Sequence, residues 1–338
     1  MPASTPTLPL VSVLVVTYNQ KEFIRQALDS ILMQRCNFAF EILIGEDCST
    51  DGTREICLEY ATQYPDSIVL ELNSHNKGFL DNYFDLLAKT RGKYLADCGG
   101  DDFWLDENRL QQQVEYLENN PETGLIAGNW MILEDSTGVL KNATTPSVNN
   151  WFHPSHFGSA AVASYLNSSQ LPKILLSASC FRADWAKEAL LNHPGLFRGV
   201  DATCEDLPLT MSMLLRGPLH LSAKNWAVYR LRENSVSHSK NAYEWVKGYA
   251  FTTFRQTLNL ARTYGVQPKE LSTYLKKNSK DLALNAFLQD DLDFLIRQME
   301  YLQSNAWPVP TKLIVLRFIL KQRFLYKPCL QAYNRFKS

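Results

Sequence analysis

The chain has no cysteine pair spaced for a metal site or a redox couple. Its seven cysteines, Cys36, Cys48, Cys57, Cys98, Cys180, Cys204 and Cys329, contain no Cys-x-x-Cys, and their number is odd. That usage speaks against a disulfide framework and a structural zinc, and suits a reducing cytosol. No run of about 18 uncharged apolar residues occurs, so no membrane-spanning helix is expected. The opening Met-Pro-Ala-Ser-Thr-Pro lacks a basic stretch followed by an apolar one, so no signal peptide is expected. No Gly-x-Gly-x-x-Gly follows a strand-like run, which counts against a nicotinamide-dependent dehydrogenase. The net charge of −1 gives no general electrostatic case for a nucleic-acid partner. Repeats and low-complexity segments are also missing.

What is present is ordinary globular material. The 338 residues are 45% hydrophobic and 20% charged, enough for one large domain or two moderate ones. The charge is uneven. No acidic residue follows Glu300, and residues 301–338 carry +7, leaving −8 for the rest.

Strand and helix patterns alternate four times in the first part of the chain. Val11–Thr17 is almost continuously apolar and β-branched, the mark of a strand buried on both faces. Phe23, Ala27, Leu28 and Ile31 then recur at helical spacing. Phe40–Gly45 reads as a second strand, and Ser49–Thr53 supplies capping residues for a helix to about Tyr64. Ile68–Leu72, a helix over Asn82–Thr90, a strand over Lys93–Asp97 and a helix over Asn108–Asn119 follow. This order predicts parallel strands with right-handed crossovers, whose ligands sit beyond the carboxyl ends of the strands. Further on, the pattern predicts an irregular loop over 134–170, a helix over Leu207–Arg216, a strand over Leu219–Tyr229 and only helices after Tyr243.

The segment with most chemistry is Cys98-Gly-Gly-Asp101-Asp102-Phe-Trp104. Two unit charges about 4 Å apart cost about 1 kcal/mol in water and about 4 kcal/mol near a protein surface. A cation offsets that repulsion, and Mg²⁺ or Mn²⁺ often takes one or two carboxylates plus substrate phosphates. The glycines let backbone approach a ligand. On its own, a Gly-Asp-Asp is equally a solvated turn.

Six motifs in order lift it above that. They are Val11-Ser-Val-Leu-Val-Val-Thr-Tyr-Asn19, Glu41-Ile-Leu-Ile-Gly-Glu-Asp-Cys-Ser-Thr-Asp-Gly-Thr53, Asn76-Lys-Gly78, Gly92-Lys-Tyr94, Gly100-Asp-Asp-Phe-Trp104, and Glu205-Asp-Leu-Pro-Leu209 with Tyr229-Arg230. Together, over roughly residues 9–232, they resemble family 2 glycosyltransferases. The resemblance implies a GT-A fold: a Rossmann-like, mostly parallel sheet flanked by helices. It implies residues 1–240 as the glycosyltransferase domain, with a nucleotide-binding half (9–130) and an acceptor-binding half (131–240). Residues 241–338 are left as a helical C-terminal region. It further implies an inverting, Mn²⁺- or Mg²⁺-dependent transfer from a nucleotide-sugar donor, with UDP-sugar the expected class, to a glycan or lipid-linked acceptor. The expected setting is bacterial surface polysaccharide assembly at the cytoplasmic face of the inner membrane.

By the same resemblance, Thr17, Tyr18, Asn19 and Asp47 hold the nucleotide base, Asp101 the ribose, Asp102 the metal, and Asp206 is the general base. Lys77 is a further candidate nucleotide contact, and Asn82 stands beside it as an uncertain one. Trp104, Glu205, Arg232 and His238 are candidate acceptor or diphosphate contacts. Each also has a plainer reading: turn and cap chemistry for Asp47, an acidic first helical turn for Glu205 and Asp206, a solvated Lys77, a packed Trp104 and a surface His238. Many relatives carry a histidine two residues after the Tyr-Arg pair. Here that place is Arg232, which cannot ligate a metal but can pair with a diphosphate.

Two other functions remain. A sugar nucleotidyltransferase expects Gly-Gly-x-Gly-Thr-Arg after the first strand, where this chain has Thr17-Tyr18-Asn19-Gln20. An inactive binding or scaffold relative is the non-enzymatic alternative. Finally, the basic, apolar stretch from Lys312 to Lys327 suggests peripheral membrane contact through residues 308–338, with a self-packed helix as the alternative.

Overall fold

The computed structural model describes residues 8–143, 156–168, 174–232 and 241–337. The chain divides into two compact units, residues 1–162 with 170–233, and residues 163–169 with 234–338.

The first unit is built on a nine-stranded mixed sheet. Its strands are β1 (Val11–Thr17), β2 (Phe40–Glu46), β3 (Ile68–Leu72), β4 (Tyr94–Asp97), β5 (Phe103–Trp104), β6 (Leu125–Glu134), β7 (Val139–Asn142), β8 (Ser179–Arg182) and β9 (Leu219–Leu231). The spatial order is β3-β2-β1-β4-β8-β6-β9-β5, with β7 on β6. All seven residues of β1 are buried, because the strand pairs in parallel with both β2 and β4 and is covered on both faces. The first four strands are parallel, as their alternation with helices predicts. Helices α1 (Ile24–Leu32), α2 (Thr53–Gln63), α3 (Phe79–Lys89) and α4 (Arg109–Asn119) connect or follow them.

The second part of the sheet departs from the expected pattern. β8 is antiparallel to both β4 and β6, while β6 runs parallel to β9. β6 and β8 are both absent from the sequence expectations, and the stretch over 134–170 is not one loop. It contains the end of β6, β7 and helix α5 (Ser159–Asn167). The reason is visible in β6: Gly128-Asn129-Trp130 interrupts its apolar run, and the pairing with β9 shifts register at those residues. Helices α6 (Ala183–Asn192), α7 (Pro194–Arg198) and α8 (Asp206–Arg216) complete this unit.

A polar knot ties the N-terminal ends of the strands together. The Ser12 hydroxyl donates to Glu41 (2.6 Å) and accepts from the Gly92 amide (2.8 Å), while Arg91 forks onto Glu41. Gly92 is held so close that a Cβ there would lie 2.5 Å from the Ser12 nitrogen and 2.7 Å from the Val11 carbonyl carbon. Gly92→Ala is therefore expected to destabilise this unit by about 1–3 kcal/mol, since backbone rather than a flexible side chain must yield. Urea unfolding measures it; an unchanged midpoint contradicts the packing described.

The second unit is helical: α9 (Ala242–Trp245), α10 (Phe251–Thr263), α11 (Ser272–Leu288), α12 (Leu292–Ser304), α13 (Thr311–Lys321) and α14 (Arg323–Lys337). Leu258, Leu275, Ala286, Phe294, Leu302 and Leu313 are among its buried side chains. No described helix is long and apolar enough to cross a membrane.

Candidate active site

Four loops meet beyond the carboxyl ends of the parallel strands, and they are wired to one another. The Asp47 amide donates to the Thr17 carbonyl, Asn19 bonds Ser49 and Thr50, and the Gly100 amide reaches the Val16 carbonyl. Asn19 is left-handed (φ 49°), a conformation an asparagine tolerates. Gly100 is required by space: a Cβ would fall 2.3 Å from Gln20 Oε1 and 2.9 Å from Thr17 Oγ1. Thr17 is buried, and its hydroxyl is spent on Gln20 at 2.8 Å. Tyr18 is open to solvent.

Asp47 is 2% exposed and its oxygens are already engaged. Oδ1 accepts from Asn73 Nδ2 and the Lys77 amide, and Oδ2 accepts from the Gly78 amide, all at 2.9 Å. In this structure the residue staples the loop after β3. Lys77 stands beside it. It contributes its backbone amide, while its ammonium pairs with Asp85 at 2.9 Å. Asn82 is buried, bonding Asn73 and the Gly45 carbonyl.

The Asp pair divides into two different environments. Asp102 is 5% exposed; Oδ2 accepts from the Ser177 hydroxyl at 2.6 Å and Oδ1 from the Arg230 amide at 3.1 Å. Burial, followed by the charge of Asp101, pushes its carboxyl up to about 7. Asp101 is half-buried and pairs with Arg232 at 3.1 Å, while its carbonyl accepts from Arg230 Nε. Arg232 therefore stands over the acidic pair, on the ring of Phe23. His238 lies outside the described residues.

The residues fit a hard divalent cation held by few protein groups. Among the described residues no group of three or more His, Cys, Asp or Glu side chains is arranged as ligands. Asp102 supplies oxygen of the right hardness, oriented by two hydrogen bonds, which suits an ion completed by phosphate and water oxygens.

Asp206 opens α8 and keeps some accessible surface, as does Glu205 before it. The first turn of a helix favours a carboxylate, but burial wins here and pushes Asp206 up to about 7, against the opposing bond from the Leu176 amide. Glu205 is raised further, by burial and then by Asp206. Trp104 corrects another expectation. It is 2% exposed, donates its indole N–H to the Asp97 carbonyl, and lies under the Arg109 guanidinium at 3.9 Å. It packs and offers no platform to a sugar.

Four residues were not singled out. Ser177 orients Asp102, and polar serines inside the apolar run 174–181 were its only signal. Asp97 ends a buried strand and takes the Tyr83 hydroxyl on both oxygens at 3.0 Å; burial pushes it up to about 7. Arg109 and Gln113 on α4 hold the carbonyls of Ser177, Ala178 and Ser179. Their helical spacing of four residues matches a shared inward face.

Comparison with known proteins finds a known domain in the first unit. Residues 12–164 match the model of "Glycosyl transferase family 2". Within those residues the chain carries the sequence pattern of that family. The chain is 25% identical over 233 residues to the putative teichuronic acid biosynthesis glycosyltransferase TuaG of Bacillus subtilis, covering 69% of this chain and 83% of that protein. It is 45% identical over 113 residues to an uncharacterized protein of Mycobacterium tuberculosis, and that match spans 33% of each chain. Among solved structures, S. aureus TarS 1–349 in complex with UDP-GlcNAc superposes with a TM-score of 0.59 at 17% identity, covering 96% of this chain and 91% of that one. The mannosyltransferase PcManGT from Pyrobaculum calidifontis, in complex with GDP-Man and Mn²⁺, gives 0.53 at 19% identity, covering 98% and 86%. The fold is thus GT-A.

The raised Asp206 carboxyl has a measurable consequence. The unfolded chain releases this proton near pH 4, whereas the folded protein holds it to about 7. Because the folded state binds more protons in between, the residue's contribution to stability falls as pH rises through that window, and its cost is complete above about 7. Asp206→Asn, uncharged at all pH, is therefore expected to gain on the parent between pH 5 and pH 8 by on the order of 1–3 kcal/mol. Parallel urea melts at the two pH values test it; an equal difference at both denies the shift.

Proposed function

We propose that the chain is an inverting, divalent-metal-dependent glycosyltransferase. It moves a sugar from a nucleotide diphosphate donor, with a UDP-sugar as the expected class, to a hydroxyl of a glycan or lipid-linked acceptor. The observation that carries this reading is the buried Asp102, oriented by Ser177 and the Arg230 amide, beside Asp101 and its Arg232 partner. A buried carboxylate next to a second one invites a cation, and the adjacent arginine suits a diphosphate. When bound there, Mg²⁺ or Mn²⁺ would act as a Lewis acid that offsets the charge of the departing diphosphate. Asp102 would hold it.

Asp206 accepts the proton of the acceptor hydroxyl as its oxygen bonds to C1 and the C1–O bond to the diphosphate breaks. A carboxylate poised near 7 suits that task at neutral pH. A single displacement needs no enzyme nucleophile. The names of the relatives support the setting: TuaG is named for teichuronic acid biosynthesis, and TarS was solved with UDP-GlcNAc. All seven cysteines are free thiols, and we place the reaction in the cytoplasm.

Calorimetric titration of the intact protein with UDP, GDP, CDP and dTDP, with and without Mn²⁺, tests the proposal. One nucleotide is expected to bind, at least tenfold tighter with the ion, and Asp102→Ala is expected to abolish that dependence. Failure of every nucleotide to bind a folded protein would move the chain to the non-enzymatic reading.

A further inference from the structure

The second unit exposes a patch unlike the rest of its surface. On α13, Leu313 and Leu320 are fully buried and anchor the helix. Its other side shows Ile314 (51% exposed), Val315 (50%) and Phe318 (58%), and α14 begins with Phe324 at 73%. At roughly 100° per residue, Ile314, Phe318 and Val315 lie within an arc of about 100°. Lys312 lies past one edge of that arc, and Arg317 and Lys321 past the other. Single exposed apolar residues need no explanation, but four large ones within eleven positions do.

Cations border the patch. Lys312, Lys321 and Lys327 are exposed, and among the described residues no ion pair holds them. Apolar residues in the centre with cations at both edges are the pattern of a helix lying in a membrane interface. Neither helix is long and apolar enough to cross a bilayer. A second copy of this chain is a poor occupant, because a self-complementary contact would bring lysines against lysines.

We propose that α13 and the start of α14 dock on an anionic lipid surface. Ile314, Val315, Phe318 and Phe324 enter the interface, and Lys312, Lys321 and Lys327 meet lipid phosphates. This inference is independent of the donor and acceptor chemistry.

The test is co-sedimentation of the full chain with phosphatidylcholine vesicles, and with vesicles of one part phosphatidylglycerol to two parts phosphatidylcholine. Binding is expected only to the anionic vesicles, and is expected to weaken at about 1 M salt, where the Debye length is about 3 Å. The triple variant Lys312→Gln, Lys321→Gln, Lys327→Gln is expected to lower partition by about 100-fold, the product of about fivefold per cation. Phe318→Ser with Phe324→Ser is expected to weaken it as well, with circular dichroism unchanged. Equal binding to neutral vesicles, or none to either, overturns the proposal. So does a doubling of mass in solution that the phenylalanine variant abolishes, which would assign the face to a second copy.

Discussion

Asp206→Asn is expected to lower kcat by about 10²–10⁴-fold while leaving the affinity for the donor nucleotide within a few-fold. Asparagine keeps the shape and the acceptor for the Leu176 amide, and loses only the lone pair that takes a proton. The parent's kcat is expected to rise with pH, half-maximal near 7, the value to which burial lifts this carboxyl, and to level off above it. In the variant that limb should vanish. Asp97→Asn is the matched control. That carboxyl is lifted for the same reason but is 5% exposed and closed off by Tyr83, so its loss should change kcat by less than tenfold. If the two variants behave alike, Asp206 is part of the buried framework and the base is elsewhere, with Glu205 next in line. If Asp206→Asn loses nucleotide affinity instead of turnover, its role is structural.

The parallel half of the fold was legible because its strands are buried on both faces and write continuous apolar runs. β1 and β3 match their expected bounds, and β2 extends one residue further. α3 starts at Phe79 rather than Asn82, since Gly78, with φ 85°, already makes the turn. β6 and β8 were not legible. β8 is four residues long, and β6 is broken at Gly128 where Trp226 crowds its backbone. In the site, residue types announced the acids but not what they touch. Asp102 and Asp206 share one short turn, bonding Ser177 and Leu176 in turn. Asp47 and Trp104 carry the motif letters yet face inward, because hydrogen bonds to Lys77, Gly78 and Asp97 consume their polar atoms. Ser177 and Arg109 belong to no local motif. Their partners are 75 and 68 residues away, a pairing only the folded sheet creates.

Arg109→Met is expected to destabilise the first unit by about 3–5 kcal/mol, a shift in Tm on the order of 10 °C. The guanidinium is fully buried and spends its donors on Ser177 O (2.5 Å), Ser179 O (2.8 Å) and Gln113 Oε1 (3.0 Å), with Trp104 beneath it. Burial lowers it to about 10, which still leaves it charged at neutral pH. Methionine fills much of the volume but strands two carbonyls without donors, the costly half of a broken hydrogen bond. Arg109→Lys should not rescue, because an ammonium is a point donor and cannot reach both carbonyls and Gln113 in one plane. The same turn, Leu176–Ala178, carries the Ser177 hydroxyl that orients Asp102 and the Leu176 amide that meets Asp206. Loosening it should therefore disturb both acids together. Measured well below its Tm, where the variant is still folded, Arg109→Met is expected to lose metal-dependent nucleotide affinity and turnover in parallel. A variant that melts early but binds and turns over normally would mean the clamp serves stability alone. Loss of both, with Lys failing to restore either, would mean that one buried arginine sets the geometry of the metal side and the base side of the site.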